Sequence, residues 1–277
     1  MRRLMVFGVM VTMLAGLAAG SGCQINQTTG TRQFNLLTLD DDVTLGKEAK
    51  PELQKEYGGP VQDKIVQDYV AGVGKRIALK TAHPELPYEF TVLDSDVVNA
   101  FALPGGPVFV TRGLLEKIGS EDELAAVLGH EIAHVNLRHG SAQISRQMGV
   151  QIVLEAAGAA AGGSETAAAA GSLAKVVAGL VDLKYSRDQE SEADHYGLDY
   201  IVNSGYDANG MVKLLTVFVD MEKKGGSPPQ FLSTHPNPDN RVGAVEQRIA
   251  EKKYDLRGGR VGAEEYKTNV LARFGKG

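Results

Sequence analysis

The stretch Ser120-Glu121-Asp122-Glu123-Leu124-Ala125-Ala126-Val127-Leu128-Gly129-His130-Glu131-Ile132-Ala133-His134-Val135 decides the reading of this chain. Ser120 with Glu123 three residues on is a capping-box signature for a helix start, and acids in that first turn suit the positive end of the helix dipole. Leu124, Val127, Leu128, Ile132 and Val135 recur at helical spacing, so the helix is expected to be largely buried. His130 and His134 lie on one face, a turn apart, and can hold one ion between them. Glu131 projects about 100° around from His130, beside the ion, where it can take a proton from a water the ion activates. Burying two histidines and a glutamate in an apolar helix would be costly without a metal or partners.

A catalytic site of this type needs a third protein ligand and one open position. Leu137 stands where the longer H-E-x-x-H-x-x-G-x-x-H pattern has its glycine, and His139 falls on the opposite helix face, with Gly140 ending the helix. A carboxylate from a second helix is the remaining option. Ser186-Arg187-Asp188-Gln189-Glu190-Ser191-Glu192-Ala193-Asp194 opens such a helix, and Leu198, Ile201 and Val202 continue its apolar face. Glu190 and Asp194 are four apart, so both can face the first helix. Glu190 would bind the ion, and Asp194 would accept the ring N–H of a ligand histidine, with His130 the preferred partner. Taken alone, such an acidic run is ordinarily a solvated helix face. Beside His130 and His134 the balance reverses.

Working outward, the rest of the chain is ordinary globular sequence. Its 277 residues carry 29 basic against 34 acidic side chains, a formal charge of −5 that argues against nucleic acid as a partner. One cysteine allows neither an internal disulfide nor a thiolate cluster. At the N-terminus Arg2 and Arg3 precede the uncharged apolar run Leu4 to Ala19, then Gly20, Ser21, Gly22 and Cys23. That resembles a bacterial lipoprotein signal, with lipid expected on Cys23. An ordinary secretory signal beside an incidental cysteine is the alternative, and either one exports the protein. The expected organisation is a signal over residues 1–22, a polar tether over 23–45 and a metallopeptidase domain over 46–277. Apolar spacing predicts helix between Thr44 and Leu79. Tyr88-Glu89-Phe90-Thr91-Val92-Leu93 and Pro107-Val108-Phe109-Val110-Thr111 read as strands. Residues 149–183 are rich in alanine and glycine but broken by Glu155, Glu165, Lys175 and Asp182, so packed helices around a Gly162-Gly163 turn are expected in place of a membrane span.

The motifs together resemble the gluzincin metalloendopeptidases of the HtpX and CAAX-prenyl-protease family, in its secreted, envelope-lipoprotein branch. The resemblance rests on H-E-x-x-H followed by S-R-x-x-E-x-x-A-D. It extends to Asn99-Ala100-Phe101-Ala102-Leu103-Pro104-Gly105-Gly106 upstream and Ser233-Thr234-His235-Pro236 with Arg241 downstream. It implies an α+β fold, mostly helical and zincin-type, with a small β-sheet beside the active-site helix. It also implies one Zn2+ on His130, His134 and Glu190, with Glu131 as base and with His235 and Arg241 near the metal as stabilisers of the tetrahedral intermediate. The substrates it implies are unfolded or misassembled envelope proteins, met in the periplasm by an enzyme anchored at Cys23, at the outer membrane in preference to the inner.

Two expectations remain. Val108-Phe109-Val110 is either a core strand or a cleft strand that pairs with an extended peptide. His235, in a loop before Pro236, either stabilises an oxyanion or occupies the fourth zinc position at rest; the second is preferred. The competing functional reading is a non-proteolytic zinc-binding chaperone or scaffold lipoprotein, which would have no use for the base Glu131.

Overall fold

The computed structural model describes residues 23–160, 184–224, 229–236, 238–252 and 258–275, with the single positions 179 and 254. The expected signal and the Gly162-Gly163 turn lie outside these residues. Short strands β1 (Cys23–Ile25) and β2 (Arg32–Phe34) form an antiparallel hairpin, followed by helices α1 (Leu39–Glu56) and α2 (Lys64–Ala78). The single helical stretch expected from Thr44 to Leu79 is thus divided. Gly58 and Gly59 adopt positive φ and turn the chain before Pro60. Thr38 and Asp41 form a capping box at α1, and the Asp63 carboxylate accepts from the first amides of α2.

Strands β3 (Glu89–Leu93), β4 (Ala100–Ala102) and β5 (Pro107–Thr111) make one sheet in the order β3-β5-β4. β5 runs parallel to β3 and antiparallel to β4. Val108 and Val110 point into the larger apolar core, with Val66, Val70, Leu128 and Ile132, while Phe109 points to the other face, among Leu45, Leu53 and Phe101 of a smaller cluster under α1. The apolar run of β5 therefore reflects burial on both faces. As the central strand it has its hydrogen bonds filled on both sides and cannot pair with a peptide. The core-strand alternative holds, and the sheet ends on β4 beside the H-E-x-x-H helix.

After a short turn of helix (α3, Arg112–Leu115), α4 (Glu121–Asn136) carries His130, Glu131 and His134 through the core. Ser120 is the N-cap as expected, but the reciprocal capping box does not form. Glu123 accepts from the amide of Gly119, and the Ser120 hydroxyl donates to Asp122 and Glu123. Glu121, fully buried, is held by Arg76, Arg260, Tyr69 and Tyr206. Four partners from distant parts of the chain thereby pin the start of α4.

α4 ends at Asn136, and α5 (His139–Ala160) begins after the two-residue corner Leu137-Arg138. Here the segment expected as a tether is ordered against the body. Asn26 Nδ2 and Gln33 Nε2 donate to the Leu137 carbonyl at 2.8 and 3.1 Å, and Thr28 Oγ1 donates to the Asn136 carbonyl at 3.2 Å. These carbonyls are helix-end groups with no partner inside the helix, so polar Asn, Gln and Thr side chains serve as its cap. A polar composition was compatible with a tether. It is equally what capping demands.

The remaining helices are α6 (Arg187–Asn203), α7 (Asn209–Lys223), α8 (Gln230–Thr234), α9 (Pro238–Lys252) and α10 (Ala263–Asn269). α6 crosses α4 at Gly129 and Gly197. A Cβ on Gly129 would come within 2.5 Å of Ile201 Cγ2, and one on Gly197 within 3.0 Å of the Gly129 backbone. Only hydrogen fits at that crossing. The fold is mostly helical α+β, and no helix among the described residues is long and apolar enough to cross a membrane.

Candidate metal centre

The Gly129–Gly197 contact brings two helix faces together one residue before His130. From α6, Glu190 and Asp194 project toward α4, one turn apart. His130 Nδ1 lies 3.0 Å from Asp194 Oδ1, the pairing expected from spacing alone. Because a carboxylate only accepts, His130 carries its proton on Nδ1 and turns a lone pair on Nε2 inward. His134 Nε2 faces that atom at 3.1 Å and Glu190 Oε1 at 3.5 Å.

The fourth member comes from the end of α8. His235 caps that end, its amide donating to Phe231 O at 2.8 Å just before Pro236. The side chain is buried, stacked on Phe231 with ring centroids 4.3 Å apart. His235 Nδ1 sits 2.9 Å from Glu190 Oε1 and 3.2 Å from His130 Nε2. One donor atom from each of His130, His134, Glu190 and His235 falls within 4.8 Å of all the others. Three imidazole nitrogens and one carboxylate oxygen converging in a buried site suit a tetrahedral zinc ion. Glu131 stands beside them, its Oε1 3.6 Å from His235 Nε2, buried and without a hydrogen-bond partner.

Arg241, on α9, lies beside the site, against two of its carboxylates. Its Nε and Nη2 bind the two oxygens of Asp194 at 2.7 Å each, and Nη1 lies 2.6 Å from Glu190 Oε2. All three guanidinium nitrogens engage these two carboxylates. The residue bridges the carboxylates of Glu190 and Asp194. This paired geometry is one that a planar fork supplies and an ammonium does not.

Burial dominates the electrostatics. It pushes the Glu131 carboxyl above the usual carboxylate range, against the pull of His235 and His130. Burial also opposes ionised Glu190 and Asp194, but it is outweighed. His235 and Arg241 hold Glu190 well below its ordinary value, and Arg241 with the His130 hydrogen bond lowers Asp194. Burial keeps His134 far below the ordinary histidine value and lowers His139 despite Glu192. At His235 burial is overcome by Glu190 and Glu131, and its basicity rises. Neutral His134 and ionised Glu190 are the protonation states that bind a metal.

Reading the sequence by helical spacing missed three contributors. His139, expected on the far face, lies against His134, and Glu192 binds it from α6. Tyr185 stacks on the His134 ring with centroids 3.9 Å apart. An aromatic just ahead of the Ser186 cap was the one available sign of the last.

The geometry agrees with relationships across the whole domain. The beta-barrel assembly-enhancing protease of Yersinia pestis is 29% identical over 234 residues, 81% of this chain and 47% of that protein. The mitochondrial metalloendopeptidase OMA1 of Schizosaccharomyces pombe is 33% identical over 228 residues, 79% of this chain and 64% of that protein. The metalloprotease YcaL of Escherichia coli is 26% identical over 257 residues and is covered over 98% of its length. The chain thus spans just under half of the first of these and nearly all of the last. With the model of peptidase family M48 matching residues 64–249, this chain belongs to peptidase family M48.

Proposed function

We propose that the protein is a zinc-dependent endopeptidase of the bacterial cell envelope, acting on unfolded or misassembled envelope proteins. One observation carries this reading: four buried donor atoms converge on one point beside a buried carboxylate oxygen, on Glu131, that has no hydrogen-bond partner. A structural metal site has no use for the latter. The names of the relatives, protease, metalloendopeptidase and metalloprotease, support the reaction class.

His130, His134 and Glu190 would hold the ion. Zinc there supplies Lewis acidity that polarises the scissile carbonyl and acidifies a water. Glu131, made more basic by burial, would take the proton of the attacking water and deliver it to the departing amine. Asp194 and Arg241 keep His130 and Glu190 aimed. The edge strand β4 is the place for an extended substrate to pair, since β5 is enclosed between its neighbours. Lipid on Cys23, which is exposed, would attach the domain to a membrane, the outer one in preference to the inner.

His235 would take the resting fourth position on such an ion and leave the enzyme latent until substrate displaced it. His235→Ala is expected to raise basal cleavage of an unstructured protein several-fold with zinc still bound. A fall in turnover on a small peptide would instead make it an oxyanion donor, worth about 2.7–4 kcal/mol. Unchanged kinetics would remove it from the site.

Hydrolysis of unstructured casein by the zinc-loaded chain tests the whole reading. Activity is expected to vanish with a chelator and return with stoichiometric zinc. Zinc bound tightly without hydrolysis would make the chain a binding protein.

A further inference from the structure

His139 has no part in the chemistry above, yet the fold takes trouble to place it. Arg138, just before it, has φ +53° and is the one non-glycine in the left-handed region among the described residues. Three contacts hold that conformation. Arg138 Nε binds Asp42 Oδ2 at 2.7 Å, Nη1 binds Gln24 Oε1 at 2.7 Å, and Nη2 binds the Leu37 carbonyl at 2.6 Å. The tight corner turns His139 back beneath α4. There its Nδ1 lies 3.0 Å from His134 Nδ1, and its Nε2 lies 3.1 Å from Glu192 Oε2. His139 is buried, whereas the Glu192 side chain is about half exposed.

The proton inventory of these two contacts has one solution for neutral rings. Glu192 only accepts, so the single N–H of His139 sits on Nε2 and Nδ1 is an acceptor. His134 must then donate from Nδ1. Its Nε2, facing His130 and Glu190, is left with the lone pair a metal needs. His130 reaches the same state through Asp194, whereas the described partner of His134 Nδ1 is a histidine backed by a carboxylate.

We propose that His139 is a positioning residue that fixes His134 as its Nδ1–H tautomer, with Glu192 orienting His139 in turn. The proposal rests on His134 being a zinc ligand, as argued above.

The test uses the full chain, zinc affinity by competition with a chromophoric chelator, and histidine 15N NMR of the metal-free protein. In the wild type the His134 signals are expected to report a proton on Nδ1. His139→Leu should mix the tautomers and weaken zinc binding about 10–100-fold, the range typical of partners that orient a ligand. His139→Gln should restore affinity to near wild type, because its oxygen accepts from His134 and its amide donates to Glu192. A merely structural role would not give that rescue. If the leucine variant does not fold, Glu192→Leu at the half-exposed position should weaken zinc in the same direction, by less. Wild-type affinity in both leucine variants, or an Nε2–H tautomer in the wild type, would overturn the proposal. A wild-type chain that binds no zinc would instead defeat the ligand assignment on which it rests.

Discussion

Glu131→Gln is expected to keep one zinc per chain and to lose proteolysis by about 10²–10⁴-fold, the range general-base catalysis contributes. The substitution is isosteric, and Glu131 is outside the group of converging donor atoms, so metal binding has no reason to change. What disappears is the proton acceptor. Burial raises the basicity of the Glu131 carboxyl, and Oε1 has no competing hydrogen bond, so it is free to accept a proton. An amide oxygen in its place cannot take one. Metal analysis alongside casein hydrolysis decides the matter: full zinc content with wild-type turnover would remove Glu131 from the base role.

The second large effect is at Glu190. Glu190→Gln is expected to weaken zinc by at least ~100-fold, beyond the range seen when only a partner of a ligand is lost. The change removes the one anionic donor of the set and takes from buried Arg241 one of its two carboxylates. Glu192→Gln should change affinity by a factor of a few at most, because the amide oxygen still accepts from His139. Zinc content measured after dialysis against a weak chelator separates the two. Loss at Glu192 with retention at Glu190 would mean that the register of α6 is misassigned.

How much of this was legible in the sequence follows from the range of each interaction. His130, Glu131, His134, Glu190 and Asp194 were found because helical spacing is local, and two facing helices need only matching four-residue intervals. The His130–Asp194 pair, separated by 64 positions, came from the same rule. His139 was lost for a definite reason. Continuing α4 past Asn136 puts it on the far face, and nothing in Leu137-Arg138 signals a left-handed corner at a non-glycine. That conformation is imposed by Asp42, Gln24 and Leu37, a hundred residues away. Strand order was hidden likewise. Val108-Phe109-Val110 reads the same in an edge strand as in a central one, and only the pairing of β3 and β4 on either side settles which. His235 and Arg241 were placed near the metal by resemblance. Stacking on Phe231 and the bidentate grip on Asp194 give those positions their physical reason.

The hairpin at the N-terminus bears on distance. A flexible chain over residues 24–45 would let the domain wander about 25 Å from its attachment point. Instead Cys23 opens β1, and the side chains of Asn26, Thr28 and Gln33, a few residues on, close the end of the helix that carries His130 and His134. A lipid on Cys23 would leave almost no slack. The domain would then be held within a short reach of the bilayer. Polypeptides presented within that narrow layer would be cut, and those a few nanometres farther out would pass untouched.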